Sequence, residues 1–241
     1  MLELNNDILI SIQDISKKFG DQKVLTDIDL DINHYEILGI LGKSGCGKST
    51  LIKILLGFYK PDSGKILYNN LNLVVDFKKI RDIVGFVSQE NSFYEKLTVE
   101  ENLFFFANLY NIPKEEAISR GEFLLNLVKL SEHKNRLAEN LSGGMKRRLE
   151  FAISLIHDPK ILVLDEPFNG LDIQISEEIW YVIEKIKSSG VTIIVITHIL
   201  NSLSNHCDRA VFMSEGKIIK EVSNVKKSRI DLEKIFREVL L

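Results

Sequence analysis

The sequence is poor in cysteine, with only Cys46 and Cys207 among its 241 residues. Two thiols cannot form the set of disulfide bonds that holds small secreted domains together, so a disulfide-stabilised scaffold is excluded. A reducing compartment is therefore the natural location for this chain.

Long apolar runs are also absent. The longest one, at 191–200, is interrupted by Thr192, Thr197 and His198, and it is far shorter than the roughly 20 residues that a helix needs to cross a bilayer. The sequence begins MLELNND, which lacks the basic and apolar regions of a signal peptide. We therefore expect no direct membrane span and no signal peptide, so that any work on a membrane is done from the cytosol.

The chain has no excess of basic residues. It carries 31 Lys and Arg against 34 Asp and Glu, a formal net charge of −3, whereas proteins that coat nucleic acid usually show a strong basic excess. With 45% hydrophobic and 27% charged residues, the composition is near the average for soluble globular proteins. Disorder of the whole chain is excluded, and the length fits one large domain or two small ones.

Both ends of the sequence are predicted to contain strands. Short apolar runs separated by turn signals predict strands at 8–12, 24–32 and 36–41. Further on, 210–213 and 217–221 flank the turn sequence SEG and predict a hairpin.

The middle of the chain is helical in pattern. Thr98, with Glu101 three residues later, forms a capping box at the start of a helical region. The continuous apolar runs at 161–164 and 191–196 then indicate strands buried on both faces of a parallel sheet, with a helix at 176–188 between them. The pattern predicts an α/β fold with an inserted helix-rich segment.

The segment 42–50, GKSGCGKST, matches the phosphate-binding pattern G-x-x-x-x-G-K-[ST]. Glycines let backbone N–H groups converge on phosphate oxygens at the N-terminus of the following helix. Lys48 supplies a positive charge for the β- and γ-phosphates, and the Ser49 hydroxyl is a ligand for Mg²⁺. The alternative, a plain glycine-rich turn, is disfavoured because a predicted strand precedes the motif and a helix follows it. The residues expected to bind the nucleotide are Gly42, Lys43, Ser44, Gly45, Cys46, Gly47, Lys48, Ser49 and Thr50.

Two adjacent carboxylates, Asp165 and Glu166, follow the buried strand at 161–164. Ligands of parallel α/β sheets bind at the carboxyl ends of the strands. Asp165 is placed to hold the metal through water, and Glu166 is the candidate general base that takes a proton from the attacking water. An isolated Asp-Glu pair would more often be a solvated strand end, but the buried strand and the phosphate-binding loop favour a catalytic role.

A second anion site is predicted at 141–148, LSGGMKRR. Ser142 is a candidate N-cap, and Gly143 and Gly144 expose N–H groups at the start of a helix. The alternative is an ordinary capped helix. The charges at 146–148 are interpreted either as a helix-surface run or as attraction for the polyphosphate.

These motifs together resemble the nucleotide-binding subunit of an ATP-binding cassette (ABC) transporter, over nearly the whole chain. The Walker A motif corresponds to 42–50, the Walker B motif to 161–166 and the family signature to 141–145. Four single residues match further family positions. Phe19 corresponds to the A-loop aromatic residue and Gln89 to the Q-loop glutamine. Asp172 corresponds to the D-loop aspartate and His198 to the switch histidine.

The resemblance implies a second ABC ATPase subunit, arranged head to tail with the first in a homodimer, so that each ATP lies between the two copies. Ser142, Gly143 and Gly144 would then contact the γ-phosphate across the interface. ATP and Mg²⁺ are the implied substrate and cofactor, and transmembrane permease subunits are the implied partners. The same resemblance places the subunit in the cytoplasm, peripheral on the inner face of the cell membrane, with no nucleic acid bound.

The four single residues take their roles from the family. Phe19 would stack on adenine, and His198 would hold the γ-phosphate. Gln89 would touch Mg²⁺ or the attacking water and sense the membrane partner, and Asp172 would help couple the two sites. Taken alone, Gln89 is any surface amide, Phe19 any core aromatic and His198 a structural histidine.

The implied architecture is a single P-loop ATPase domain. It has a mostly parallel core sheet with an N-terminal antiparallel β subdomain (1–90 and 158–225), a helical subdomain carrying the signature (91–157) and a C-terminal helix (226–241). Met145 stands where many members of the family have glutamine, and LSGGMKRR is similar to the form found in exporter-type ATPases for drugs, lipids or polysaccharides. We expect an active ATPase that drives transport.

Two other functions remain possible at this point. One is an ABC ATPase that acts as a regulatory or signalling module on a membrane partner, because the soluble chain would look the same. The other is a DNA-repair or translation ATPase of the same superfamily, which is disfavoured because those proteins usually carry coiled coils, zinc inserts or a second cassette.

Overall fold

The structure is a computed structural model that describes residues 8–69, 71–72, 77–90, 92–198 and 200–240. The prediction for the first seven residues lies outside this part of the chain. Two compact units are present, a first unit of Met1–Val84 with Thr192–Leu241 and a second unit of Gly85–Val191. The predicted limits of the helical subdomain differ from these and stay a prediction.

The elements follow each other in the order of the chain. The first part contains β1 (Ile8–Phe19), β2 (Gln22–Asn33), β3 (Ile37–Gly42), α1 (Lys48–Leu55), β4 (Ser63–Tyr68), β5 (Leu71–Asn72) and α2 (Phe77–Ile83). The middle contains β6 (Val84–Val87), α3 (Val99–Leu109), α4 (Lys114–Leu127), α5 (Gly143–Leu155), β7 (Ile161–Asp165) and α6 (Ile173–Ser188). The last part contains β8 (Thr192–Ile196), α7 (Leu200–His206), β9 (Arg209–Ser214), β10 (Lys217–Ser223), α8 (Val225–Ser228) and α9 (Leu232–Leu240).

An antiparallel sheet in the first unit has the strand order β2-β1-β4-β5. In β2, Ile28, Leu30 and Ile32 are buried while the residues between them are exposed. This period of two places one face of the sheet on the core. β1 and β2 join through a tight turn in which Gly20 has a φ of 58°, a conformation that glycine adopts without steric cost.

A second sheet of the first unit is built around β3, in the order β10-β9-β3-β8. β3 pairs in parallel with both β8 and β9, and β10 pairs antiparallel with β9 as the predicted hairpin. All residues of β3 and β8 are buried, as expected for strands covered on both faces. The predicted α/β fold with an antiparallel β subdomain and a mostly parallel sheet is confirmed.

The second unit contains the helices α3 to α6 and the neighbouring strands β7 and β6. The predicted capping box is present at α3, where the Thr98 hydroxyl accepts from the Glu101 amide (3.1 Å) and the Glu101 carboxylate accepts from the Thr98 amide (2.8 Å). In the core, the ring centroids of Phe168 and Trp180 lie 4.7 Å apart. Both side chains are fully buried.

The first residue of the C-terminal helix α9 contacts α7, which belongs to the same unit. Leu232 is fully buried, and its backbone amide donates to the hydroxyl of Ser204 in α7 (3.2 Å). Among the helices that the structure describes, none combines the length and the apolar character that crossing a membrane requires.

Candidate nucleotide-binding site

The predicted phosphate-binding loop connects β3 to α1 through backbone that only glycine accommodates. Gly47 is the N-cap of α1 with a φ of 110°, and an added Cβ would lie 2.8 Å from Leu25 Cδ2. An added Cβ on Gly42 would lie 2.5 Å from the carbonyl oxygen of Met213. Gly45 has a φ of 78° but open space beside it. The loop therefore presents bare backbone at the start of a helix, which is a general arrangement for binding anions.

The ammonium of Lys48 lies within this loop. Its Nζ donates to the carbonyl oxygens of Gly42 (2.7 Å) and Lys43 (3.0 Å), and it lies 3.8 Å from Cys46 Sγ. Cys46 itself is buried, as predicted for a packing role. A positive charge is thereby fixed at the N-terminus of α1, where the helix dipole already favours an anion.

The predicted switch histidine lies at the same sheet edge as the loop. In the parallel pairing of β3 with β8, Ile40 is opposite Ile196. Gly42, the last residue of β3, and His198, two residues after the end of β8, are each two residues beyond this pair, and adjacent strands lie about 4.8 Å apart. The exposed side chain of His198 therefore follows the strand next to the phosphate-binding loop.

Phe19, the predicted adenine-stacking residue, ends β1 in the same unit. The residue is 45% exposed, and its ring meets Tyr59 edge to face, with 5.3 Å between the centroids. Lys17 Nζ lies 5.4 Å from the centroid of the Phe19 ring. The ring is thus supported at its edge, and Tyr59 is a neighbour that the sequence analysis did not identify.

The predicted carboxylates lie at the end of β7 in the second unit. Residues 161–164 are fully buried, whereas Asp165 and Glu166 are partly exposed. Glu166 has a φ of 49°, a left-handed conformation that costs a residue with a side chain roughly 1–2 kcal/mol. The amide of Asn169 donates to the Glu166 carbonyl oxygen (3.2 Å) and closes a turn. Ten other non-glycine residues in the described part of the chain also have a positive φ, so this conformation does not test the role of Glu166, which stays a prediction.

The predicted second anion site is the N-terminus of α5. The Ser142 hydroxyl accepts from the Met145 amide (3.3 Å), so the predicted N-cap is confirmed. Gly143 and Gly144 form the first turn of the helix, whose N–H groups lack partners within the helix. An added Cβ on Gly144 would lie 2.7 Å from Ile175 Cγ2, so glycine is needed here for packing as well.

Asp172 has a structural role that the sequence analysis missed. Its carboxylate accepts from the Ile175 amide (2.8 Å) and caps α6. The helix consequently begins at Ile173, three residues before the predicted start. Ile173 is 84% exposed and presents an apolar side chain next to the cap.

The interpretation of 146–148 as a run of surface charges is wrong for its central residue, Arg147. Arg147 is only 8% exposed and forms an ion pair with Glu150, with 2.7 Å between Nη1 and Oε2. Arg148 lies 3.2 Å from the carboxylate of Glu178, and Lys146 lies 3.6 Å from that of Glu95. The three charges thus have partners on the protein.

The predicted Mg²⁺ ligands are divided between the units. Ser49 is in the first unit, whereas Asp165 and the exposed Gln89 are in the second. Over the described residues, no group of three or more His, Cys, Asp or Glu side chains is arranged to hold a metal. Each of these side chains offers an oxygen ligand, the type that Mg²⁺ prefers, and Mg²⁺ usually keeps waters and substrate phosphates rather than an all-protein cage. The predicted ligand set stays a prediction.

Known proteins resemble this chain in sequence and structure. The family described as "ABC transporter" matches residues 25–169. The Nod factor export ATP-binding protein I of Rhizobium etli is 36% identical over 214 residues, 88% of this chain and 67% of that protein. The spermidine/putrescine import ATP-binding protein PotA of Clostridium novyi is 34% identical over 217 residues, 87% of this chain and 60% of that protein. The structure of cbiO1 from Clostridium perfringens, part of the ABC transporter complex cbiONQ, matches with a TM-score of 0.86 and 30% identity, covering 96% of this chain and 94% of that one.

The relatives differ in direction of transport and in length. One name states export and another import, at 36% and 34% identity, so the expected exporter-type subfamily is not confirmed. The chain spans between 29% and 76% of the length of the curated relatives it matches.

Proposed function

This chain belongs to the ABC transporter family, and from that premise we propose that it is the ATP-binding and ATP-hydrolysing subunit of a transporter. ATP binding closes a dimer of such subunits, hydrolysis reopens it, and separate permease subunits in the membrane convert this motion into substrate movement. The subunit acts from the cytoplasmic face of the membrane.

The observation that carries this proposal is the loop between β3 and α1. Its glycine backbone and the fixed ammonium of Lys48 (2.7 Å from the Gly42 carbonyl oxygen) provide what a triphosphate needs, namely converging N–H donors and positive charge. Phe19 offers an exposed ring for the adenine. His198, which follows the adjacent strand β8, would contact the γ-phosphate.

Hydrolysis is assigned to Glu166, which takes the proton of the attacking water. Ser49, Gln89 and Asp165 would hold Mg²⁺, directly or through water. The bound cation supplies neutralisation of the charge that develops on the phosphate oxygens. Phosphoryl transfer to water requires positioning and electrostatic stabilisation rather than a covalent intermediate on the protein.

Substitution of Glu166 by Gln tests the assignment of the base. The amide keeps the size of the side chain but cannot accept the proton, so ATP binding is expected to persist while turnover is abolished. Steady-state ATP hydrolysis and binding of a fluorescent ATP analogue measure the two properties separately. A Glu166→Gln chain that hydrolyses ATP at the parental rate would show that the base lies elsewhere.

The proposed dimer shares its two sites between the copies. Each ATP would contact Lys48 of one copy and the α5 N-terminus of the other, with Asp172 coupling the sites. A mixture of Lys48→Ala and Ser142→Asp chains tests this arrangement. Asp keeps the capping acceptor at 142 while placing a negative charge beside the proposed γ-phosphate position.

In mixed dimers, one of the two sites would have both Lys48 and Ser142 intact. We therefore expect ATP hydrolysis by the mixture although each variant alone is inactive. Mixed dimers that form without any turnover would contradict the shared site. The control is each variant mixed with itself at the same total concentration.

The exporter type of the transporter is a further proposal, supported by the resemblance of LSGGMKRR at 141–148 to exporter-type ATPases. Purification from membranes of the native host, followed by identification of the protein that accompanies the chain, tests it. A companion permease that moves substrate outward is expected. A companion dependent on an external substrate-binding protein would indicate import.

A further inference from the structure

Two oppositely charged side chains are buried together on one face of α5. Arg147 is 8% exposed and Glu150 is 1% exposed, and Arg147 Nη1 lies 2.7 Å from Glu150 Oε2. Burial of charge is unfavourable unless the remaining hydrogen-bonding capacity of both groups is used. The other partners of this pair therefore indicate why it is buried.

Both members of the pair bind main-chain atoms of the segment that follows β6. Arg147 Nη1 donates to the Ser88 carbonyl oxygen (2.7 Å). The Ser92 amide donates to Glu150 Oε1 (3.1 Å). These contacts lie on either side of Gln89, one before it and one after it.

These contacts hold the backbone of the segment rather than its side chains. A guanidinium has several donors in a rigid plane, and a carboxylate has several acceptors. Each group can therefore form the ion pair and a hydrogen bond to the loop at the same time. The Ser88 hydroxyl also donates to the Glu90 carbonyl oxygen (2.6 Å), which adds a local turn between the two attachment points. Gln89 thus extends from a main chain held on both sides by α5.

We propose that Arg147 and Glu150 are positioning residues that hold the backbone around Gln89 in a fixed relation to the helix bearing Ser142, Gly143 and Gly144. This role rests on the proposed function, in which Gln89 and the α5 N-terminus serve ATP hydrolysis. A displacement of α5 is passed to Gln89 through main-chain contacts, without a change in the Gln89 side chain itself.

The electrostatics of the pair agree with this role. Burial raises the pKa of the Glu150 carboxyl, and the Arg147 guanidinium and the Ser92 amide oppose that rise. The ionised carboxylate is therefore best stabilised when both contacts are present. The ion pair and the loop attachment stabilise each other.

The test exchanges the two charges, Arg147→Glu with Glu150→Arg. The double variant retains opposite charges three residues apart on α5. It places a carboxylate against the Ser88 carbonyl oxygen and a guanidinium against the Ser92 amide, so that acceptor faces acceptor and donor faces donor. A role limited to charge pairing within the helix would survive the exchange, whereas a role in holding the loop would be lost.

Two measurements on the full chain separate these outcomes. Hydrogen exchange at the Ser92 amide is expected to accelerate about tenfold or more relative to amides of α3, because its acceptor is gone. The kcat for ATP is expected to fall about tenfold or more through misplacement of Gln89, while KM changes less than about threefold because residues 42–50 are unaltered. Unchanged Ser92 exchange or a parental kcat would overturn the proposal.

A milder pair of variants applies if the double exchange prevents folding. Ser92→Pro removes the amide hydrogen that Glu150 accepts and also fixes φ at this position, while it leaves both members of the ion pair unaltered, whereas Ser92→Ala keeps the hydrogen and the freedom of φ. We expect a lower kcat for the proline variant alone, and equal kcat values would overturn the proposal. A parental chain without ATPase activity would overturn the proposed function and this role together, whereas an active parent with equal variants would overturn this role only.

Discussion

Two adjacent glycines at the start of α5 provide a matched pair of substitutions with different expected results. An added Cβ on Gly144 would lie 2.7 Å from Ile175 Cγ2, whereas one on Gly143 would lie 3.7 Å from Leu171 Cδ2. The second distance is an ordinary van der Waals contact. The first overlaps with a branched side chain on α6, which has little freedom to move away because its χ1 is restricted.

The size of the expected effect is the difference in unfolding free energy between the two variants. Gly143→Ala and Gly144→Ala each gain part of the roughly 1 kcal/mol by which alanine is preferred over glycine in a helix. This gain is common to both and cancels in the comparison. The overlap at Gly144 remains, and overpacking of this kind costs about 1–3 kcal/mol. We therefore expect Gly144→Ala to be less stable than Gly143→Ala by that amount.

Urea unfolding followed by tryptophan fluorescence measures this difference. Trp180 is the only tryptophan in the sequence, is fully buried and lies on α6 with Ile175. Its fluorescence therefore reports the unit in which the substitutions are made. Equal unfolding free energies for the two variants, within about 0.5 kcal/mol, would refute the packing role of Gly144.

The same pair separates packing from phosphate binding. Under the proposed function, Gly143→Ala crowds the γ-phosphate while leaving the fold intact. We expect its ATPase rate to fall although its unfolding free energy is at least parental. Parental values of both properties would contradict a phosphate contact at Gly143.

Three further predictions concern caps and a buried thiol. Thr98→Ala should lower the unfolding free energy at pH 7 by about 1 kcal/mol. The Thr98 backbone amide, and after it the Thr98 side chain, lower the pKa of the Glu101 carboxyl, so the stability from this carboxylate should be present above pH 4.5 and be lost as the pH falls through the lowered value. Because the alanine variant keeps that backbone amide, most of this loss should occur in both chains, and the difference between them, measured by urea unfolding, should persist at low pH. Asp172→Ala should cost about 1 kcal/mol while Asp172→Asn, which keeps the capping acceptor, should cost less than about 0.5 kcal/mol in the same assay. Burial raises the pKa of the Cys207 thiol from 9.0 to about 12, so iodoacetamide at pH 8 should modify native Cys207 about a thousandfold more slowly than the urea-unfolded chain by mass spectrometry. Similar rates would contradict a buried, protonated thiol.

Features with a local cause were predictable from the sequence. The capping box at Thr98, the N-cap at Ser142 and the turn of the β9–β10 hairpin depend on residues within a few positions of one another. The buried strands β7 and β8 follow from uninterrupted apolar runs. In each case, one short stretch of sequence contains both the donor and the acceptor, or the whole apolar run.

Features that depend on distant partners were not predictable. A run of Lys and Arg on a helix reads as a solvated face, yet Arg147 is buried because the Ser88 carbonyl oxygen and Glu150 accept its hydrogen bonds. The site residues themselves were identified by their order along the chain. Their mutual geometry depends on strand register, as the pairing of Ile40 with Ile196 shows for His198.

The motifs of the second unit are connected through contacts that constrain how any of them can move. Ser142 caps α5 and Asp172 caps α6, and the two helices meet where Gly144 faces Ile175. A rotation of α5 toward α6 would press its backbone against that branched side chain, so movement in this direction is expected to carry both helix N-termini together. A force applied at the exposed Ile173, beside the Asp172 cap, would then be transmitted to the glycines proposed to contact phosphate without passing through a flexible loop.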